Sequence, residues 1–361
     1  MTPEVLFMPA SATEDAAALS TKIVRLYDQL PHGMRLPGGA KIGIKVHLGE
    51  GIRPAPIPAG WLRPLANRLG QLGAAVFFTD TCTLYRGERS NAIAHSLMAA
   101  ERGFTPGEAG GPFLVADGLF GEASVSVPIT GSHFATVEVA NAAVRATGLV
   151  VCSHFTGHLG TSMGAAVKNL GMGLASRAGK LQQHAVAKPR VEAETCTACE
   201  LCREICPERA IELRDEVAVI DRRRCSGCGQ CLTVCYTEAI QADYSANSRL
   251  LQERMAEFAL GVVQGKTDLV VYLTFLLRVT RDCDCIAKEE PTLFPDIGLL
   301  AASDPVAIDQ AACDLVTERT GRPIEVWCGR DLDPSWQLAH GEAIGLGSRR
   351  YTLRELSADR G

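Results

Sequence analysis

Long hydrophobic runs are missing from this chain. The longest, "LVVYLTFLL" at 269–277, has nine residues, under half of the roughly 20 that an α-helix needs to span a bilayer. The start, "MTPEVLFMPASATEDAAALS", has neither the basic lead nor the sustained apolar stretch of a secretion signal. Basic charge is also scarce. Lys and Arg number 36 against 41 Asp and Glu, and the one dense basic run is Arg222, Arg223 and Arg224. Neutralising phosphates takes a basic face, so no nucleic acid is expected as a partner; the run solvates a turn or meets an acidic partner. No membrane is expected either. With 361 residues, 47% of them apolar and 21% charged, the chain can bury one large core or two modest ones.

Cysteine, by contrast, is abundant. Fourteen cysteines without an export signal suit a reducing compartment, where thiols serve metals or catalysis rather than disulfides. The expected location is the cytoplasm. Eight of the fourteen form two runs, "CTACELCREICPERAI" from Cys196 and "CSGCGQCLTVCYTEAI" from Cys225. Each is a C-x2-C-x2-C-x3-C loop of the kind that wraps a cubic iron–sulfur cluster, with the fourth cysteine crossing to the other cluster. On that pattern Cys196, Cys199, Cys202 and Cys235 hold one 4Fe-4S cluster, and Cys225, Cys228, Cys231 and Cys206 hold the second. Zinc sites spread their ligand pairs farther apart. Pro207 follows Cys206 as the pattern expects, but Tyr236 follows Cys235, which alters packing or solvent access near one cluster.

Around this segment the pattern is α/β, a mostly parallel sheet flanked by helices, with the two-cluster ferredoxin-like module inserted. Strand-like runs "KIGIKV", "AAVFFTD", "GLVVCSH" and "DLVVYLTFLL" alternate with helical stretches near 60–72, 89–102 and 248–263. Ser303, Asp304 and Pro305 read as a helix start. The expected division is 1–187 for the first part of the α/β domain, 188–242 for the module and 243–361 for the second part.

Ligands of a parallel sheet gather beyond the carboxyl ends of its strands. His47, Asp80, His154 and "TRDCDC" (280–285) all fall at such ends. Taken singly, such a residue is more often a helix cap or a satisfied core group; four together predict a site. Cys283 and Cys285, two apart, share a face of an extended segment, as a metal-binding pair, part of a further cluster, a redox dithiol or two inert core thiols. Cys82, Cys152, Cys313 and Cys328 have no partner at a telling spacing. In 153–184, Gly160, Gly164, Gly171 and Gly173 let backbone approach a ligand. Gly164, Lys168 and Asn169 are expected to bind a cofactor, although Asn169 after the lysine rules out a P-loop.

The blocks "DTCTLYRGERSNAIAHSLMAAERGF", "SHFTGHLGTSMGAAVKNLGMGLASRAGKLQQH", the double-cysteine module and "DCDC…PDIGLLAASDPVAIDQAACDLV" resemble the uncharacterised iron–sulfur-centre proteins of domain of unknown function 362. That resemblance implies a ferredoxin module within an α/β domain and no fixed reaction. His158, Lys168 and His184, ten and sixteen residues apart, also look like the His, Lys and His of nickel-dependent lactate racemases, where the lysine carries a nickel-holding pincer nucleotide. The resemblance implies that Lys168 anchors or contacts a cofactor, with His158 and His184 as acid/base groups or metal ligands.

The resulting expectation is an iron–sulfur oxidoreductase. Electrons pass from a soluble donor through both clusters to His154, His158, Lys168, His184, Cys283 and Cys285, so the expected partner is a soluble electron donor or acceptor protein. Asp80 and Arg86 bind a small-molecule substrate, a further metal or cofactor sits near Lys168 and the Cys283/Cys285 pair, and the lysine donates a proton if its pKa is lowered. The alternative is a non-catalytic carrier or assembly protein for clusters or cofactors. A third reading keeps racemase chemistry with structural clusters.

Overall fold

Eight strands form one twisted sheet in a computed structural model that describes residues 2–30, 36–51, 54–85, 87–184, 189–225, 230–241 and 248–357. Arg86 and Cys228 lie outside the described residues. In chain order the strands are β1 (Glu4–Pro9), β2 (Lys41–Lys45), β3 (Ala75–Asp80), β4 (Phe113–Val115), β5 (Gly148–His154), β6 (Val270–Leu276), β7 (Gly298–Ala302) and β8 (Thr352–Glu355). Across the sheet they run β8-β1-β7-β6-β5-β2-β3-β4. Every neighbouring pair is parallel except the two made by β7, so β7 alone runs against the rest.

The central strands are apolar on both faces because both faces are covered. In β5, Leu149 and Val151 point into one core while Val150 and Cys152 point into the other, as a period of two requires. Helices Ala59–Gln71 and Ala16–Asp28 cover the second core; Ala166–Gly171, Ser248–Val263 and Pro305–Thr320 cover the first. The last of these begins where the sequence predicts. Asp304 accepts the N–H groups of Val306 and Ala307, Pro305 fills the first turn, and Gly321 at φ +73° ends the helix. No helix among the described residues is long and apolar enough to cross a membrane.

The cysteine-rich segment leaves and rejoins the body at one place, because Arg190–Val191 pairs antiparallel with Ile240–Gln241. Between them lie helix Leu201–Ile205, the hairpin Ile211–Arg214 with Val217–Ile220, and helix Gln230–Thr233. Its small core of Cys202, Cys231, Ile211, Ala218, Leu232 and Ile240 takes in two residues of the α/β body, Leu84 and Leu181.

Candidate functional site

The site starts from a buried lysine. Lys45 is the last residue of β2 and is wholly buried; a charge there persists only with partners. Its Nζ lies 3.0 Å from Asp80 Oδ1 at the end of neighbouring β3 and donates to Asn169 Oδ1 at 2.6 Å. Asp80 meets a second cation, Arg89, whose Nη1 is 3.3 Å from Oδ2 and whose Nε binds Glu50 at 2.9 Å. Arg89 also donates to the Tyr85 hydroxyl, which itself is 3.3 Å from Glu50. Burial opposes a charged Asp80, but Lys45 and Arg89 outweigh it and hold its carboxyl well below the usual range. His95 packs 3.8 Å from Asp80, and burial lowers its pKa to about 3, so it is neutral.

A second group of residues sits beside this network. Asn169 donates to the Cys152 carbonyl and the Ser153 hydroxyl, which ties the short helix Ala166–Gly171 to the end of β5. The start of that helix is held from behind, where both oxygens of buried Asp309 accept the N–H groups of Ala166 and Val167. Lys168 is thereby presented with its Nζ 3.8 Å from Cys285 Sγ. A Cβ on Gly164 would stand 2.7 Å from the Lys168 side chain, so glycine is what leaves the lysine its path.

Cys283 and Cys285 do share a side, through a turn rather than an extended segment. The Ile286 N–H donates to the Cys283 carbonyl at 3.0 Å. Cys285 Sγ is 3.3 Å from His47 Nε2, and the other nitrogen of that ring accepts the Gly49 N–H at 3.0 Å. This fixes the Nε2 proton toward sulfur. The bond from the Cys283 thiol pulls the Cys285 pKa well below that of a free thiol, against burial and with help from Lys168 and His47. Cys283 is pushed correspondingly up. For Lys168, burial opposes the charge but Cys283, Cys285 and Asp284 more than offset it, so its pKa is raised. The lowered value that would make it a ready proton donor is not found: the sulfurs beside it favour an ammonium.

Three more histidines, His154, His158 and His184, close round the same place. His154 at the end of β5 is clamped between Asp284, at 2.8 Å, and the Leu277 carbonyl, at 2.7 Å. His158 sits in the hairpin Thr156–His158 with Ser162–Gly164, and its Nδ1 accepts the Gly160 N–H. Burial and the Lys168 charge push its pKa well below that of a free imidazole. The same two causes bring His184, at the end of helix Arg177–His184, down to about 4. The structure thus brings together Asp80, His154, His158, Lys168, Asn169, His184, Cys283 and Cys285. His47, another of the expected strand-end residues, is with them at Cys285, and Lys45, Glu50, Tyr85 and Arg89 join them unannounced. Lys45 was legible only as one of the two lysines that bracket a short apolar strand, and Arg89 carried no signal in a polar stretch. Cys82, Cys152 and Cys328 are buried and Cys313 is half-buried.

In the cysteine-rich segment Cys196, Cys199, Cys202 and Cys235 line one cavity, together with Thr197, Ala218 and Ile240. The loop curls round it through Ala198 and Glu200, non-glycine residues at φ 53° and 64°. Backbone N–H groups point at sulfur, Ala218 to Cys196 at 3.5 Å and Ala210 to Cys206 at 3.3 Å. Four cysteines lining one cavity, with a backbone N–H directed at the sulfur of Cys196, fit a thiolate-ligated cluster. Of the other set, Cys231 is buried, and Cys206 and Cys225 are half-buried. Tyr236 is exposed, with its hydroxyl 3.3 Å from that of Thr197 at the cavity wall.

The sequence profile described as "domain of unknown function (DUF362)" matches residues 42–314. The chain belongs to this family. Shorter similarity links it to an uncharacterized ferredoxin of Methanocaldococcus jannaschii, 45% identical over 47 residues, which are 12% of this chain and 31% of the ferredoxin. Pyruvate synthase subunit PorD of Methanothermobacter marburgensis is 34% identical over 82 residues, covering 23% of this chain and 94% of that subunit. A DUF362 protein with a ferredoxin-like portion is the result. The lactate racemase apoprotein of Thermoanaerobacterium thermosaccharolyticum aligns at a TM-score of 0.44 with 12% identity, over 87% of this chain and 57% of its own. That likeness is too weak to bear on chemistry.

Proposed function

We propose that this DUF362 protein is an iron–sulfur oxidoreductase that passes electrons through two 4Fe-4S clusters to the site around Lys168 and Cys285. The clusters, held by Cys196, Cys199, Cys202 and Cys235 and by Cys225, Cys228, Cys231 and Cys206, would supply one electron each. The observation that carries the reading is a shared element. Helix Arg177–His184 sends Leu181 into the core of the cysteine-rich segment and ends at His184, which feels the Lys168 charge. Leu84 does the same beside Tyr85.

The residues suit an anionic small molecule. Lys168 and Arg89 are cations in a sheltered setting, where charge acts strongly, and neutral His158, whose Nδ1 accepts the Gly160 N–H, can offer its Nε2–H as a hydrogen-bond donor. Gly164, Lys168 and Asn169 would hold a further cofactor or metal, and Arg86, next to Tyr85 in the sequence, is the proposed substrate ligand. Cys285 as a thiolate can act as nucleophile or ligand. A redox partner protein has a landing place as well, since Leu201, Ile205, Val219 and Tyr236 are exposed on the cysteine-rich segment. The same exposed residues serve the second reading, a carrier or assembly protein with no substrate.

The two separate in one experiment. Anaerobic protein with about eight irons is reduced, and its reoxidation is timed with a panel of small carboxylates and phosphate esters that can accept electrons. An oxidoreductase shows acceleration by at least one of them, lost about 100-fold in Lys168→Met at unchanged iron content. Reoxidation that is identical in wild type and Lys168→Met for every acceptor overturns the enzyme reading and leaves the carrier.

A further inference from the structure

Away from the strand ends, three segments gather two imidazoles and two carboxylates. His133 lies in the loop between the paired strands Ser124–Pro128 and Thr136–Ala140. Glu253 and Glu257, four apart, share one side of helix Ser248–Val263, and His340 lies in helix Ser335–Ala343. His133 Nε2 is 2.8 Å from Glu253 Oε2, and His340 Nε2 is 2.9 Å from Glu257 Oε1. The two rings stand 5.5 Å apart, and ligand atoms of His133, Glu257 and His340 all fall within 4.8 Å of one another.

The surroundings are built for Glu257. It is fully buried, and its carboxylate accepts the N–H groups of Ser132, His133 and Phe134. A Cβ on Gly131 would come within 2.2 Å of its Oε2, so only glycine lets the loop close on it. Arg249 holds the other oxygen of Glu253 at 2.7 Å, which leaves Oε2 aimed at His133. A carboxylate oriented by backbone donors, beside imidazoles presenting the same nitrogen, is how metal ligands are commonly supported.

We propose that His133, His340 and Glu257, with Glu253 as fourth ligand, bind one divalent transition-metal ion, zinc above all. Two imidazole nitrogens and two carboxylate oxygens suit zinc, whose bonds of about 2.0–2.1 Å set tetrahedral edges of roughly 3.3 Å. Each His–Glu pair needs to open by only about half an ångström from that closeness, and His133 on its loop supplies the movement that draws the wider pairs in. The ion takes the place of the hydrogen between each ring and its carboxylate; a neutral imidazole then carries its one proton on Nδ1 and offers the Nε2 lone pair to the metal. It would pin the loop and both helices. Ser248, at the start of the middle helix, donates to the Gly160 carbonyl in the His158 hairpin at 2.7 Å. Further along, the Met255 carbonyl leaves room only for glycine at Gly171. The ion therefore braces the helix behind the site and takes no part in its reaction.

The test uses full-length, iron-loaded protein dialysed against zinc or cobalt(II), with metal content measured for wild type, His133→Gln and His340→Gln. Wild type should retain one equivalent beyond iron and melt at higher temperature with zinc. Both variants should lose that equivalent and the shift while keeping their iron and far-ultraviolet dichroism. Bound cobalt should show no thiolate-to-metal charge-transfer band. Retention of the equivalent by either variant, a sulfur signature on the cobalt, or no extra equivalent in wild type each overturns the proposal and leaves two separate histidine–glutamate pairs.

Discussion

At the scale of single residues the most consequential feature is the division of one proton between Cys283 and Cys285. The side chains around Cys285 all favour its anion: the Cys283 thiol, the Lys168 ammonium at 3.8 Å and the His47 N–H at 3.3 Å. A depressed thiol pKa means that the thiolate is present above the folded value and lost only as pH falls through it. Alkylation of Cys285 by iodoacetamide should therefore be nearly flat between pH 7 and 9, where an ordinary thiol of pKa about 8.5 gains close to tenfold per unit below that value. Lys168→Met removes a charge and should restore part of the slope. The measurement is site-resolved mass spectrometry of labelled peptides. A steep climb toward pH 9 in the wild type would show that the partners around this sulfur do not hold its charge. The sequence showed the two cysteines and their spacing, but not which one carries the charge, because His47 and Lys168 reach them from 238 and 117 residues away.

At the scale of elements, the placement of Lys168 depends on a helix of only six residues, too short to hold itself in water. Asp309 supplies what it lacks by accepting two of its first N–H groups from the neighbouring helix Pro305–Thr320. Asp309→Asn would turn an N–H donor against one of those amides and leave it unmet, at a cost of about 1–3 kcal/mol. The wild-type group also has a pH signature. Burial raises its pKa to about 7 from an ordinary value of 3.8, so its contribution to stability is full below the ordinary value and is lost as pH rises through about 7. Urea titrations at pH 5 and 8 should show the wild type weaker at pH 8, with a smaller difference in the variant. An unchanged midpoint in Asp309→Asn would mean that the helix is held by packing alone. Strands and long helices were legible because period and caps are local: β5 and helix Ser248–Val263 fall at the expected residues. The Asp309 contact spans 143 residues, and no pattern within either helix announces it.

At the scale of the whole molecule, the inserted segment and the sheet meet through Leu84 and Leu181. The repeat of cysteine spacings made the segment legible, whereas its docking was not, since an apolar residue at 84 or 181 reads equally well as core of the α/β body. The cysteine runs also pose a question of connectivity that extends beyond either run. Cys235 belongs to the second run in sequence but lines the cavity of the first, beside Cys196, Cys199 and Cys202. Replacing it should therefore damage the cluster of the other run. Cys235→Ser, purified without oxygen, is expected to fall from about eight irons toward about four, with the Cys225 run still loaded. Because serine is nearly the size of cysteine, the α/β body should keep its dichroism, and the loss reports ligation rather than collapse. Combining Cys235→Ser with Cys199→Ser decides the assignment. If both residues serve one cluster, the double variant keeps the same four irons as either single one. If they serve different clusters, it loses nearly all of its iron, and the two runs each close on themselves.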